Sequence, residues 1–303
     1  DCDDDMRREA VAFLNWLRDD HFVFLGVRDY RFETGEDGRV LPEEPIMVEG
    51  SNLGVLRDED RNVLNRGAEP LMLTPEISSF LAEPTPLIVA KSTLQSRIHR
   101  RSLCDYVGIK HIDEEGRVVG ETRFLGLYTA EAYNESARHI PLVRRRVARV
   151  LEATGAVEGS HNYKALSNIL ETWPRDELLQ ADAETLLPLM RGALHLVGRP
   201  RTRMFVRRDR FNRFVSVVIF VPREAYDTSV RLRLSEHMTK AFNGELISFQ
   251  PRFDASPLAR LHLMIELLDG SVSPDLDQLE SEVTEIARTW DDAFRGALME
   301  AGL

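Results

Sequence analysis

Cysteine is almost absent from this 303-residue chain, which carries only Cys2 and Cys104. Two thiols supply no disulfide framework, which fits a reducing compartment. Long apolar runs are missing as well. The longest strong one, FVSVVIFVP, is strand-sized and falls far short of the roughly 18 residues that span a bilayer. The amino terminus, DCDDDMRREA, has no apolar secretory core. It also has no initiator methionine, as in a processed chain or a piece excised from a longer one. Neither the dinucleotide signature G-x-G-x-x-G nor the P-loop G-x-x-x-x-G-K-S/T occurs, and Gly50 and Gly54 in EGSNLG read as loop glycines. Excess positive charge is absent too. Acidic residues outnumber basic ones 50 to 39, for a formal charge of -11, which argues against a general polyanion binder. The default is a cytoplasmic protein with neither nucleic acid nor membrane as a partner.

What is present is an ordinary globular composition, 43% apolar and 29% charged, with length enough for two domains or one large one. Residues 5–19 place Ala10, Phe13, Leu14 and Leu17 at helical spacing. HFVFLGVRDYRFE then switches to a strand pattern. Further strands are expected at LGVLR, PLIVAKS, RIHRRSLCDYVGIKHI and RVVGETRFLGLYT, the last two joined by a DEEG hairpin. Residues 42–85 carry the weakest pattern. Up to residue 131 the expectation is a mainly antiparallel sheet.

From 132 to 200 the pattern is helical. PLVRRRVARVLEATG turns Leu142, Val143, Val147, Val150 and Leu151 inward and stops near Gly155, and HNYKALSNILETW repeats the pattern until Pro174. A third helical stretch is expected to be interrupted at Pro188.

From 201 the order is strand, strand, helix, strand, strand, helix. The first helix, over about 227–242, has an apolar stripe of Val230, Leu232, Leu234, Met238 and Ala241. The last carries Leu276, Leu279, Val283, Ile286, Trp290, Phe294 and Leu298, with Ser273 and Pro274 suited to its start. Four strands and two helices predict a small α+β unit of ferredoxin-like type. Strand alternation in RFVSVVIFVPR sets Phe214, Val218 and Phe220 opposite Val215, Val217, Ile219 and Val221. Helices can cover one of these faces, so the other is expected to pack on a partner domain or subunit, the competing reading being a central strand in a thicker single domain.

Three groups of residues invite a chemical reading. His99 and His111 flank Cys104 and Asp105, but the spacing is no recognised metal signature and alternation scatters such residues to different faces. Trp173 is placed to pack at a helix end, with Arg175, Asp176 and Glu177 as caps or salt bridges at the helix junction. Arg207, Arg208, Arg210 and Arg213 are the candidate contacts for a small anion, because guanidinium groups hold a carboxylate bidentately. Their competing role is interdomain salt bridging on a scaffold. No residue is assigned a catalytic, cofactor-binding or metal-ligating role.

Several segments together resemble the N-terminal regulatory region of the large bacterial NAD-specific glutamate dehydrogenases: HFVFLGVRDYRF, VVGETRFLGLYTAEAY, IPLVRRRVARVL, HNYKALSNILETWPRDELLQ and RTRMFVRRDRFNRFVSVVIFVPREAYDT. The resemblance implies a sheet-rich PAS-like or ACT-like domain over 1–131, a helical connecting section over 132–200 and an ACT-like domain over 201–303. It further implies a parent enzyme that oxidatively deaminates L-glutamate to 2-oxoglutarate, with NAD bound in a catalytic region beyond Leu303. The chain itself would then be an inactive regulatory and assembly region. Its partners would be the rest of the parent enzyme, neighbouring subunits and an amino-acid effector. The alternative is a purely structural oligomerisation region with no small-molecule site.

Overall fold

A computed structural model describes residues 4–33, 35, 45–61, 63–66, 69–70, 75–83, 85–98 and 102–288. The chain forms two compact units, Asp1–Leu187 and Pro188–Leu303, in a mixed α+β fold.

The first unit opens with helix α1 (Asp4–Trp16), whose Ala10 and Phe13 are buried and whose first turn carries Asp4 and Asp5, favourable at the positive helix end. The α-helix is shorter than the periodicity suggests. Nδ1 of His21 donates to the Trp16 carbonyl at 2.8 Å, and Asp20 takes a left-handed φ of 66°, so the chain turns at once into strand β1 (Phe22–Arg31). Short strands β2 (Ile46–Met47) and β3 (Leu53–Gly54) both pair with β1, and β4 (Asn65–Arg66) and β5 (Glu69–Pro70) form a separate ladder. After α2 (Pro75–Ala82) come three long strands, β6 (Leu87–Ser96), β7 (Ser102–Ile112) and β8 (Val118–Tyr128). The sheet order is β2-β1-β8-β7-β6, all antiparallel, as the alternation predicts. The LGVLR strand is confined to Leu53–Gly54, and its remainder is a single 3₁₀ turn. The DEEG turn is closed by Asp113, which accepts from the backbone N–H of Glu115 and Arg117 (3.1 and 2.8 Å), while Gly116 supplies the positive φ of 81°.

Five helices follow: α3 (Ala130–Asn134), α4 (Val143–Ala153), α5 (His161–Thr172), α6 (Arg175–Gln180) and α7 (Ala183–Gly198). The hydroxyl of Ser160 caps α5 through the Tyr163 N–H, and Pro174 stops it from continuing. The α7 helix runs through Pro188, contrary to the interruption expected there. One lost hydrogen bond and a ring clash cost about 3 kcal/mol. Burial of Leu186, Met190, Ala193 and Leu196 along one face offsets that, and Asp182 caps the start through the Thr185 N–H at 2.7 Å.

The second unit has strands β9 (Arg203–Arg208) and β10 (Phe214–Pro222), helix α8 (Thr228–Ala241), strands β11 (Gly244–Arg252) and β12 (Leu258–Leu267), and helix α9 (Leu276–Ile286). The strands pair in the antiparallel order β11-β12-β10-β9. Numbered within the unit this is 3-4-2-1. The same neighbours appear in the ferredoxin-like order 4-1-3-2 once the chain is circularly permuted by one strand and one helix, so the expected fold type is present with a shifted starting point. Val215, Val217, Ile219 and Val221 of β10 meet Leu261, Leu263 and Ile265 of β12 under Val230, Leu234 and Met238 of α8 and Leu279 and Val283 of α9. On the opposite face Phe214 and Val218 are also buried, and Phe205 lies against α7, where a Cβ on Gly192 would sit 2.5 Å from its ring.

Two helix details differ from the sequence reading. Leu232 is 54% exposed and does not belong to the α8 stripe, because Val230, Leu234 and Met238 already fill the buried side at helical spacing. Asp275, rather than Ser273 or Pro274, caps α9 by accepting from Asp277 and Gln278 N–H groups. The expected continuation through Trp290, Phe294 and Leu298 lies outside the described residues, as does His99.

Candidate functional site

Alternation along the long strands of the first unit separates two buried polar clusters onto opposite faces of the sheet. One face carries Arg28 and Tyr30 of β1, Tyr106 and Lys110 of β7, and Glu121 and Arg123 of β8. Glu121 accepts from Arg123 Nε and from the Tyr106 hydroxyl, the latter at 2.6 Å. The Arg123 guanidinium also lies 3.9 Å from the Tyr30 ring centre. Arg28 spreads its five donors over Asn52 Oδ1, the Tyr30 hydroxyl and the carbonyls of Leu56, Asp58 and Arg61. Lys110 likewise donates to the carbonyls of Phe80 and Glu83 (2.9 and 2.7 Å). These cations hold covering segments down on the sheet.

The other face carries Lys91 of β6 and Asp105 of β7, which lie directly opposite each other in the strand register. Lys91 Nζ is 2.5 Å from Asp105 Oδ1 and 3.2 Å from Asp176 Oδ1 of α6. The Tyr133 hydroxyl of α3 donates to the same Asp176 oxygen at 2.9 Å, and the Tyr128 N–H reaches Asp105 Oδ2 at 3.3 Å. The α6 helix packs on β6, and Arg146 of α4 donates to its last carbonyls, Leu178 and Leu179, both at 2.8 Å.

Burial is the largest influence on Asp105. It drives the carboxyl up to about 6 against the pull of Lys91, and Asp176 adds to the rise. Burial also works against the Lys91 ammonium, but Asp105 and Asp176 more than offset it and hold that group well above its ordinary value. Cys104, the next residue along β7, is pushed up to about 11 by burial and then by Asp105, so it is a thiol at neutral pH and a poor nucleophile. Cys104 lies on the face of Tyr106 and Lys110, whereas His111 shares the Asp105 face and meets Thr122 Oγ1 at 2.9 Å. Among the described residues no group of three or more His, Cys, Asp and Glu side chains is arranged to hold a metal.

The residues singled out at the helix junction come together only in part. Trp173 is buried behind the end of α5, Arg175 lies 3.8 Å from Glu171, and Glu177 is buried within α6. Asp176 instead points to the sheet. Lys91 and Tyr133, its partners, were not singled out in the sequence. A lysine inside the apolar strand PLIVAKS was the available signal for Lys91, and nothing local marks Tyr133.

The four arginines of the second unit diverge. Arg208 donates to Asn212 Oδ1 at 3.0 Å and to the carbonyls of Gly270 and Val272. Arg213 is fully buried and donates to Asp209 Oδ2 through Nε and Nη2 (3.2 and 3.1 Å). Asp209 also accepts from the Arg213 and Phe214 N–H groups, which closes the turn between β9 and β10 around Asn212 at φ 54°. Arg207 is half-buried on β9, beside Ser216, and Arg210 is exposed in the turn. Arg208 and Arg213 are thus engaged with protein oxygens.

Comparison with known proteins finds two family profiles along the chain. A family profile described as glutamate dehydrogenase, ACT2 domain, matches residues 203–291, and one described as glutamate dehydrogenase, helical motif 1, matches residues 140–199. The NAD-specific glutamate dehydrogenase of Halomonas elongata is 36% identical over 294 residues, covering 97% of this chain and 18% of the relative. That of Pseudomonas aeruginosa is 33% identical over 297 residues, with the same coverage, and that of Mycobacterium tuberculosis is 29% identical over 309 residues, covering 98% and 18%. The chain therefore spans about 18% of the length of the curated relatives it matches. No described helix is long and apolar enough to cross a membrane.

Proposed function

We propose that this chain, related along nearly all its length to one segment of the larger bacterial NAD-specific glutamate dehydrogenases, is the N-terminal noncatalytic regulatory and assembly region of such an enzyme. The observation that carries this reading is the coverage, 97% of the chain against 18% of the relative, together with matches to an ACT2 domain and a helical motif. In this reading oxidative deamination of L-glutamate to 2-oxoglutarate, and NAD itself, belong to the rest of the parent protein, in the cytoplasm. Residues 1–131 form a PAS-like or ACT-like domain, 132–200 a helical connector and 201–303 an ACT-like module. An amino-acid effector or a neighbouring subunit acts by binding one arrangement of these modules more tightly than another, which is the requirement for any allosteric effect. The test is the effector response of the intact parent enzyme with and without residues 201–303. An unchanged response defeats regulation by this module. The isolated chain should reduce no NAD with glutamate.

A second reading, a purely structural oligomerisation region, is favoured by the engagement of Arg208 and Arg213 with protein oxygens. An amino-acid binding screen on the chain and on its Arg207→Ala and Arg208→Ala variants separates the two. Binding that Arg207→Ala abolishes supports an effector site, and no binding to the intact parent supports the structural role.

A further inference from the structure

One ammonium and two carboxylates share the interior cluster of Lys91, Asp105 and Asp176. Each side chain is at most 10% exposed, and the formal charges sum to one net negative. Uncompensated charge is costly at such depth, and a proton removes the cost. The groups facing Asp105 are Lys91 from β6, Asp176 from α6, Tyr128 from β8 and Tyr133 from α3 through Asp176, while Cys104, next to it on β7, points to the other face. Lys91 is the one cation among the main influences on the Asp105 carboxyl. The Tyr128 hydroxyl belongs to the same cluster and is buried without a hydrogen-bond partner, a donor in reserve for a second charged carboxylate.

We propose that Lys91, Asp105 and Asp176 form a proton-operated latch that fastens α6 to the sheet when one carboxyl is protonated and loosens it when both are ionised. With one proton bound the cluster is neutral and Lys91 bridges both partners. Loss of that proton leaves two carboxylates repelling across a single ammonium. The strain falls on α6, because Asp105 is fixed mid-strand between β6 and β8, whereas Asp176 sits on a helix of six residues between Pro174 and Ala181. So short a helix has no stability apart from its tertiary contacts. The sign follows from Asp105. Its carboxyl in the folded chain lies above the ordinary 3.8, so its contribution is full below that value and is lost as pH rises through about 6. The inference stands on the cluster and not on the identity of the parent enzyme.

Hydrogen exchange of residues 173–182 in the 303-residue chain, compared at about pH 5 and about pH 8 after correction for intrinsic rates, tests the latch. Wild-type protection should fall by at least about tenfold at the higher pH, with β7 and β8 unchanged as the internal reference. Asp105→Asn, neutral at every pH, should keep its protection at both, and Asp176→Asn should do the same if the first variant fails to fold. A protonated-carboxyl infrared band should titrate near the same pH in the wild type and vanish in either variant. Equal wild-type protection at both pH values overturns the proposal, as does a pH-dependent loss that survives in the folded variants or the absence of the band.

Discussion

Arg28→Met should release the segment around residues 52–61 from the sheet while leaving the sheet itself intact. The side chain is 2% exposed and donates to Asn52 Oδ1 at 2.8 Å, to the carbonyls of Asp58 and Arg61, both at 2.9 Å, and to that of Leu56 at 2.5 Å. Hydrogen bonds to a charged group are worth about 1.5–3 kcal/mol each, so four taken separately suggest roughly 6–12 kcal/mol. That sum is an overestimate, because most residues at 57–61 are exposed and their carbonyls regain water once the segment lifts. The expected loss is therefore about 3 kcal/mol, close to the cost of breaking a buried charged contact. Expressed as local opening, 3 kcal/mol is roughly a hundredfold. Trypsin reads this directly, since Arg57 and Arg61 are exposed cleavage sites within the segment. Cleavage after these residues should accelerate by about that factor under native conditions. Arg28→Lys, with one ammonium in place of a fork, should fall between. If cleavage is unchanged while global stability drops, the reasoning fails and the buried Leu56 side chain, not the guanidinium, anchors the segment.

Lys91→Met takes the cluster from one net negative charge to two and should cost about 3–5 kcal/mol. Removing the ammonium removes what lowers the Asp105 carboxyl, so that carboxyl rises further above 3.8 and the deficit should be larger at about pH 8 than at about pH 4 by urea titration; equal deficits would refute the assignment. Asp209→Ala removes both the turn acceptor and the carboxylate facing buried Arg213, for about 3 kcal/mol, whereas Asp209→Asn should lose less by keeping an acceptor for the turn; equal thermal shifts would contradict this. Leu263→Ala, at a fully buried core position of β12, should cost about 2–5 kcal/mol in the unfolding transition of the second unit, and a loss under about 1 kcal/mol would mean that the core collapses around the gap.

Much of the element order was legible because its signals are local. Period-two alternation located the long strands, and the 3.6-residue period with Gly155 and Pro174 located α4 and α5. The departures also have local causes. Asp275 outcompeted two other acceptable starts for α9, Leu232 shared the spacing of its neighbours without sharing their face, and burial overrode Pro188. The cluster was not legible in the same way. Lys91 and Asp105 meet through strand register, and Asp176 reaches them from a helix 71 residues beyond Asp105. The break at Pro174 drew attention to Asp176, but it could not reveal that its partners lie on a sheet. Arg208 was read as a candidate for an external anion because the carbonyls of Gly270 and Val272 are tertiary neighbours without a sequence signature.

Charge divided between the two faces of the first sheet also acts as an alignment key. In β7, SLCDYVGIKHI, apolar residues fall on both sides, so hydrophobicity alone penalises a shift of one residue only weakly. Polar partners remove that freedom. A one-residue shift would carry Asp105 away from Lys91 and toward the face of Glu121, and would turn Tyr106 and Lys110 away from their own partners. Each misaligned pairing would strand charged groups in the interior, so the buried ions discriminate against neighbouring registers even where they add little to the stability of the correct one.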